Sequence, residues 1–444
     1  MNRPDGRCCK LLLRALTVLA VVVVDPSLHA QEARPIVLDS ADMFQGRVVN
    51  GEEAQELVGH VRLRQGNVRI NCDSAFQLKR TGNVSLNGHV VVTDDSVTLT
   101  APRGAYFRQE RIAEGFDHVE LDDGKVHLTA GYGKYLVEPR VAFFRENVLV
   151  RDTGSVITAD SLTYYRSTRI SEASGVVTIY NTADNVTIHG GLLENDAGRA
   201  YSRVLQHPVL LQIDTAEDGR LDTLFVRSRV MESYRDSVKR LIATDSVRIL
   251  RTDLAAVAQR VEFYTVGDSI LLRKEPVVWY QRTQVGGDSI NVYLRQRRLD
   301  RVLVMGSAVA VSQSDSLRPL RLDQLTGERM QLYFASQKLR TIDVETRAIS
   351  IYHLYEDSLA NGLNRTSGDR IIMQFDDGKL NTIRIIGGVE GNYFPENMVQ
   401  HREREYRVPG FFWRDDKPAI RDFGERQDTR SAARRTISNR QLAR

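Results

Sequence analysis

The histidines and carboxylates that could take part in chemistry recur along the chain rather than gathering in one place. His60, His89 and His118 follow one another at intervals of 29 residues. Imidazoles stacked on neighbouring strands would resemble a metal-binding ladder. The next copy of the interval carries Asn147, and no cysteine or carboxylate series accompanies the histidines. We therefore interpret them as polar surface residues on the strand face opposite the core, and we predict no metal site.

A set of aspartates recurs in the same way. Paired carboxylates perform acid–base catalysis in glycosidases, but an active site needs one special copy, and these residues return with the repeat. We expect them at turns and strand starts. The set is Asp73, Asp160, Asp245, Asp288 and Asp369. The chain has no nucleophile elbow, HExxH motif or phosphate loop, and Leu136 replaces the third glycine after Gly131-Tyr132-Gly133. We predict no catalytic residue, no cofactor and no enzyme.

The first 30 residues have the order of a secretory signal peptide. Arg3, Arg7, Lys10 and Arg14 precede an apolar run over 16–24, and a small residue, Ala30, ends the segment. We predict cleavage after Ala30 and export, with an uncleaved N-terminal anchor as the alternative. Cleavage leaves one cysteine of the three in the chain. That residue, Cys72, fits a small buried side chain better than a nucleophile.

The chain repeats itself every 29 residues. One column of the repeat consists of valines and a second of small residues. These columns are Val61, Val90, Val119, Val148 and Val177, and Cys72, Ala101, Ala130 and Ala159. Within each copy apolar and polar residues alternate, as in half-buried strands. Turn residues such as Asp122-Asp123-Gly124 separate the two halves of a copy. The repeat therefore predicts an all-β fold of stacked short strands.

The pattern divides the mature chain into two arrays. The first covers residues 36–198. A second array over 240–395 has openings 40 to 41 residues apart, at Gly287, Gly327 and Gly368. Residues 199–239 form a connecting segment whose structure the pattern leaves open. Residues 401–444 are rich in arginine and predict a loosely ordered basic tail, in which the aromatic cluster 408–413 packs against the last strands. A net charge of +4 over 444 residues does not indicate nucleic-acid binding.

The repeated elements resemble the OstA repeat of lipopolysaccharide-transport proteins of the LptA type. The segments that carry the resemblance are Gly59-His60-Val61, Gly88-His89-Val90, Glu146-Asn147-Val148, Thr158-Ala159-Asp160-Ser161, Glu275-Pro276-Val277-Val278-Trp279 and Gln284-Val285-Gly286-Gly287-Asp288-Ser289-Ile290. Each motif is degenerate, so the specificity lies in their recurrence. The resemblance covers most of residues 36–395.

The resemblance implies an elongated β-jelly-roll, folded over like a taco shell, with an apolar groove open along one side. It implies a periplasmic protein that binds the acyl chains of lipopolysaccharide and joins other Lpt-type β-jelly-roll proteins, or copies of itself, end to end through edge strands. Inward-pointing residues of the first array are then expected to line the lipid groove. These are Val61, Leu63, Val90, Val92, Leu99, Val119, Leu121, Leu128, Val148, Val150, Val177 and Ile179.

Two other classes of protein remain as alternatives. A structural β-solenoid or adhesin without lipid cargo would have a filled interior, whereas a lipid carrier would have an open apolar cleft. A β-solenoid enzyme acting on polysaccharide would need one coil with clustered carboxylates that do not repeat. Aromatic residues would serve such an enzyme as a sugar-binding strip, but they fit core or groove lining better. They are Phe76, Tyr106, Phe107, Tyr135, Tyr164 and Tyr165.

Overall fold

A computed structural model describes residues 35–424, except 152–153, 183–184, 216–220, 253, 296–297, 314, 316, 337, 357–358 and 378. The expected signal peptide therefore lies outside the described residues. Among those described, 28 strands form a single antiparallel sheet. No helix among them is long and apolar enough to cross a membrane. The predicted all-β class is confirmed, and the fold is an elongated β-jelly-roll.

The first array is an antiparallel meander in which most strands pair with their neighbours in the chain, while the first two strands both pair with the third. The strands are β1 (Val37–Ser40), β2 (Met43–Val49), β3 (Glu52–Gln65), β4 (Val68–Leu78), β5 (Val84–Asp94), β6 (Val97–Phe107), β7 (Ile112–Asp122), β8 (His127–Leu136), β9 (Val141–Arg151), β10 (Ser155–Tyr165), β11 (Ile170–Asn181) and β12 (Val186–Asp196). Alternating valines and threonines suit such half-buried strands.

The segment that the sequence pattern left open continues the same sheet. Its strands pair back to β12 and forward to the second array, so no break separates the two arrays. They are β13 (Tyr201–Leu205), β14 (Val209–Thr215), β15 (Leu221–Arg227) and β16 (Val230–Tyr234). The turn signals in this segment hid the alternation because a corner cuts each bent strand into two short pieces.

The second array extends the meander to the end of the sheet. Its strands are β17 (Arg240–Leu250), β18 (Leu254–Tyr264), β19 (Ser269–Arg273), β20 (Val277–Tyr280), β21 (Thr283–Gly286), β22 (Ser289–Arg295), β23 (Arg298–Gln313), β24 (Leu322–Ala335), β25 (Lys338–Glu356), β26 (Leu359–Asp376), β27 (Lys379–Ile386) and β28 (Glu390–Phe394). A short α-helix, α1 (Glu396–Val399), and two 3₁₀ turns, Glu403–Glu405 and Ile420–Phe423, follow.

A line of corners folds the sheet lengthwise into two halves. At these corners consecutive residues adopt positive φ and the strand register shifts, as at Gly59-His60 and Gly88-His89. Such bulges bend a strand sharply. Similar pairs recur in the second array, for example Gly306-Ser307 and Gly387-Gly388. Because the corners lie at equivalent positions in neighbouring strands, the two halves of the sheet face each other across an apolar interior.

The aspartates that we expected at strand starts lie at these corners instead. Asp73 and Asp160 are in the middle of β4 and β10, and Asp369 is within β26. Their carboxylates cover the corner glycine of the next strand, so that a Cβ on Gly88 would stand 2.2 Å from Asp73 Oδ2. The carboxylate of Asp160 accepts a hydrogen bond from the Val176 amide at 3.0 Å. The expectation of strand starts was wrong for four of the five aspartates, which lie within strands, whereas Asp288 directly precedes β22. Sequence spacing does not distinguish a hairpin turn from a mid-strand corner.

Two apolar cores fill the interior, one for each array. The first runs from Leu57 to Val204 and the second from Leu210 to Met373, and both include Ile188 at their margins. A third and a fourth cluster lie on the outer face of the second array, where residues such as Val309 and Trp279 are covered by the end of the chain.

That covering segment, which we call the C-terminal strap, comprises residues 395–424. Gln324 binds its main chain twice, donating to Tyr406 O at 3.0 Å and accepting from the Val408 amide at 2.9 Å. Gln284 does the same at Arg414, with distances of 2.7 and 3.0 Å. Residues 401–424 of the expected loose tail are thus packed on the sheet, and residues 425–444 lie outside the described residues. The aromatic cluster 408–413 contacts strands from β18 to β23 as well as the last strands.

Candidate functional site: a closed apolar interior

The predicted groove residues all lie in the apolar interior of the first array. Eleven of them are buried, with exposed fractions from 0% for Val61 to 9% for Val150, and Ile179 is partly buried. They belong to one face of one half of the sheet, the half between the corners and the turns that follow β3, β5, β7 and β9. The sequence thus located one wall of the interior.

The opposite wall was indicated by the sequence only at its aromatic residues Tyr106 and Tyr135, which fitted core or groove lining. It consists of apolar residues on the other side of the corners, packed in the same cluster. They include Leu57, Ala75, Val84, Leu86, Tyr106, Ala113, Tyr135, Ala142, Phe144 and Leu162. A signal was present, since Tyr106, Tyr135 and Tyr164 keep the 29-residue interval. The walls approach so closely near the corners that a Cβ on Gly133 would lie 2.7 Å from Val119 Cγ1.

The opening opposite the corners is bridged by side chains. We call this line the seam, and its two borders the Asp rim (Gln65, Asp94, Asp95, Ser96, Asp123) and the Arg rim (Arg108, Arg111, Arg140, Arg166, Arg169). Three tyrosine hydroxyls donate across it: Tyr106 to Gln65 Oε1 at 2.6 Å, Tyr135 to Asp94 Oδ2 at 2.7 Å and Tyr164 to Asp123 Oδ2 at 2.8 Å. Each bond joins residues 41 positions apart.

Charged groups of the two rims add further contacts across the seam. Arg140 Nη2 lies 3.1 Å from Asp95 Oδ2, and Arg166 Nη2 donates to Ser96 Oγ at 2.8 Å. Gln65 Nε2 donates to the Arg108 carbonyl at 3.1 Å. An interior open along one side was therefore a wrong expectation for the first array as described, because the rims meet and the interior is filled.

Burial and hydrogen bonds to charged groups shift the pKa values of side chains at the seam. Burial and the hydrogen bond to Asp94 raise the pKa of Tyr135, and Asp123 has the same effect on the pKa of Tyr164. Burial alone would raise the pKa of Asp123, but hydrogen bonds from Tyr164 and from the amides of Val126 and Lys125 outweigh it, so the pKa is lowered. At neutral pH the bond from Tyr164 therefore joins a neutral phenol to the charged carboxylate of Asp123, which is a strong arrangement.

An aromatic contact lies at the seam of the second array. Tyr280, beside the turn after β20, packs its ring edge-on against Phe334 near the turn after β24, with 6.2 Å between the centroids. Partly exposed apolar residues border this core in greater number than the first one. They include Phe263, Leu294, Leu299, Phe334, Leu339, Phe375 and Leu380.

The remaining candidate residues lie outside the interior. The side chains of His60 and His89 are 86% and 90% exposed and bind Asp42 and Asp73 at 2.8 Å. His118 is 62% exposed and lies 3.0 Å from Glu120. These positions agree with polar surface residues. Of the aromatic set, Tyr106 and Tyr135 are fully buried and Tyr164 is partly buried, in agreement with core lining.

Cys72 is a buried thiol, as expected from its place in the repeat. It is 5% exposed, and burial raises its pKa to about 11. We predict that this thiol reacts with a disulfide reagent at least about tenfold more slowly in the folded chain than in urea, because the thiolate is scarce and shielded. The measurement uses a chain with Cys8→Ser and Cys9→Ser. Equal rates in the two states would contradict the burial.

The fold and the interior define a class: elongated β-jelly-roll proteins built from bent, repeated strands. Residues 34–129 and 79–201 both match the family of OstA-like proteins. Together these matches span residues 34–201, which contain the first array.

Among solved structures, the chain is similar to LptH, described as the LptA homologous periplasmic component of the lipopolysaccharide transport device from Pseudomonas aeruginosa. The two are 16% identical, with a TM-score of 0.25, over 32% of this chain and 95% of that chain. A search of curated proteins found no significant match.

Proposed function

We propose that the protein is a periplasmic, non-enzymatic carrier that binds the acyl chains of lipopolysaccharide between the two halves of its sheet. The observation that carries the proposal is the unbroken apolar interior of the OstA-like region, with walls that repeat every 29 residues. Burial of each acyl CH₂ group contributes about 0.8 kcal/mol. Walls of repeated valine and leucine offer equivalent positions along which a chain can slide.

The two ends of the sheet support assembly into a bridge. Phe44 and Val48 on the first edge are 57% and 69% exposed, and Val389 and Tyr393 on the last edge are 58% and 52% exposed. Open edges of this kind pair with another strand. The first edge has an aspartate corner at Asp42, and the last has a glycine corner at Gly387-Gly388. Along the sheet, a strand that carries an aspartate at its corner alternates with a strand whose corner residues have positive φ. Head-to-tail contact places the last edge of one chain beside the first edge of the next and so continues this alternation. The partners are Lpt-type β-jelly-roll proteins or further copies of this chain.

Photocrosslinking in cells that make lipopolysaccharide tests the carrier function. We expect a photoreactive residue at Val90, Val119 or Val148 to capture lipopolysaccharide, because these side chains point into the interior. The matched control is the same residue at Arg69, which is exposed on the outer face of β4. If no inward position captures lipopolysaccharide, the proposal is contradicted.

One observation favours a second candidate, a structural β-repeat without cargo. The interior of the first array is filled by its own side chains, as such a protein requires. The same crosslinking experiment separates the two functions, because a structural repeat would give no lipid adduct at either inward or outward positions.

A further inference from the structure

We propose that the seam of the first array is a gate, held shut by Tyr106, Tyr135 and Tyr164, through which acyl chains enter the interior sideways. This inference rests on the proposed function and deepens it. A gate is necessary because the interior is filled. Residues that face the interior, such as Val61, Leu99 and Val119, are at most 1% exposed. An acyl chain needs space that exists only when the two walls separate.

The connections between the two halves allow such a separation. Backbone continuity joins the halves at the corners, where pairs of positive-φ residues interrupt the strand register. The contacts described across the seam are made by side chains. Backbone hydrogen bonds run between neighbouring strands within each half, so they need not break when the seam opens. The corners are thus a hinge line, and the tyrosines form a clasp opposite it.

The clasp adds buried polar bonds to the apolar contacts between the two walls. In the second array the rings of Tyr280 and Phe334 meet at the corresponding position. In the first array, phenols 0% and 2% exposed, Tyr106 and Tyr135, bind Gln65 and Asp94, which are themselves 1% and 5% exposed. Satisfied polar bonds in a buried seam specify one closed arrangement, and their loss leaves polar groups without partners. The opening of the first array is therefore a discrete step.

Opening the seam also uncovers charge suited to the cargo. Arg140 and Arg166 bind Asp95 and Ser96 when the seam is closed. When the rims part, these guanidinium groups face the opening through which an amphiphile would pass. Guanidinium groups bind phosphate well, so the anionic head of a phosphorylated lipid can replace the Asp rim as their partner. The substrate class that fits this gate is an anionic amphiphile with acyl chains.

Weakening the clasp tests the gate with N-phenyl-1-naphthylamine, an apolar fluorescent probe, on the whole chain. We expect the triple variant Tyr106→Phe, Tyr135→Phe, Tyr164→Phe to take up the probe faster than the wild type. Each lost hydrogen bond shifts the closed-to-open equilibrium by about fivefold. The matched control is Tyr264→Phe, whose hydroxyl donates to Glu262 Oε2 at 2.7 Å on the same strand and does not cross the seam. Circular dichroism verifies that both variants are folded.

Locking the seam provides the converse test. Asp95→Cys and Arg140→Cys, joined by a short bismaleimide in a chain with Cys8→Ser and Cys9→Ser, tie the two rims where the side chains already meet. Buried Cys72 does not compete for the reagent. We expect at least about tenfold slower probe uptake in the locked protein, while each single-cysteine variant treated with the reagent behaves as the wild type.

The gate is overturned if the triple variant takes up the probe no faster than Tyr264→Phe, or if the locked protein takes it up at the unlocked rate. Failure of the gate differs from failure of the carrier function. A carrier without this gate would still be crosslinked to lipopolysaccharide at Val119 with unchanged probe kinetics. A gate without lipopolysaccharide cargo would respond to the clasp variants while giving no lipid adduct.

Discussion

Replacement of Arg321 by leucine is expected to detach the beginning of the C-terminal strap and to lower the free energy of unfolding by about 3 kcal/mol. The Arg321 side chain is 2% exposed. Its guanidinium binds both carboxylate oxygens of Glu396, and its Nε lies 3.7 Å from Glu403 Oε1. These glutamates belong to the strap, while Arg321 precedes β24. Without the arginine, both carboxylates lose the buried guanidinium that binds them.

Urea unfolding measures the loss of stability, and trypsin cleavage at Arg402, Arg404 and Arg407 reports release of the strap. The matched control is Arg340→Leu, which removes an arginine that is 42% exposed and bound to Asp376 at 3.2 Å. Such a surface pair contributes little. Equal losses in the two variants, or trypsin resistance in both, would show that the strap is not held by Arg321.

The pH dependence of the strap follows from the same contact. The hydrogen bond from Arg321 lowers the pKa of Glu396. A carboxyl with a lowered pKa in the folded state stabilises that state above its unfolded pKa, near 4.3, and the contribution disappears as the pH falls through the folded value. Hydrogen exchange of residues 396–403 detects release of the strap without trypsin. In the wild type it should show that the strap loosens below about pH 4. In Arg321→Leu the beginning of the strap should already be released at neutral pH.

The second large effect is expected at a corner of the first array. Gly88 has φ +71°, and a Cβ added there would lie 2.2 Å from Asp73 Oδ2 and 2.7 Å from its Cγ. Gly88→Ala must displace this carboxylate, which also binds His89 Nδ1 at 2.8 Å. The left-handed backbone costs an alanine about 1 kcal/mol, and the collision adds about 2 kcal/mol more. We expect a total loss of about 3 kcal/mol in urea unfolding.

Gly124→Ala separates the two contributions. Gly124 has φ +81°, but nothing lies within 4 Å of the Cβ position. Its replacement should cost only the backbone component of about 1 kcal/mol. In the double variant Asp73→Ala, Gly88→Ala the collision with the carboxylate is absent and only the approach of the Cβ at position 73, at 2.9 Å, remains, so the losses should be less than additive. Equal costs at Gly88 and Gly124 would mean that the carboxylate does not constrain the corner.

The sequence predicted the columns of the interior well, because their signal is local. Strand alternation has a period of two, and the 29-residue interval places Val61, Val90, Val119 and Val148 at equivalent positions. All four are buried, at 0 to 1% exposed. Burial of Cys72 follows from the same register. Each copy of the repeat packs against its neighbours in the same way. Positions that are equivalent in the sequence are therefore equivalent in the structure.

Corners and connections were less predictable. The pattern around Gly88-His89 was visible, but the positive φ of this pair and the carboxylate of Asp73 above it depend on the register between strands. The strands between Tyr201 and Tyr234 were not predicted, since their alternation is too short to stand out beside turn residues. Residues 401–424 of the strap were expected to belong to a loosely ordered basic tail, apart from the packed aromatic cluster 408–413. Its order comes from the buried side chains of Gln284 and Gln324, which lie on distant strands.

What the sequence by itself determined is therefore the all-β class, the repeat and one wall of the interior. Tertiary structure alone decided whether that interior is open or closed. The bonds of Tyr106 to Gln65, Tyr135 to Asp94 and Tyr164 to Asp123 each join residues 41 positions apart. No single repeat contains both partners, so no local pattern indicates them. They meet only because the corners fold the whole sheet in two, which brings the Asp rim of one repeat against the Arg rim of the next.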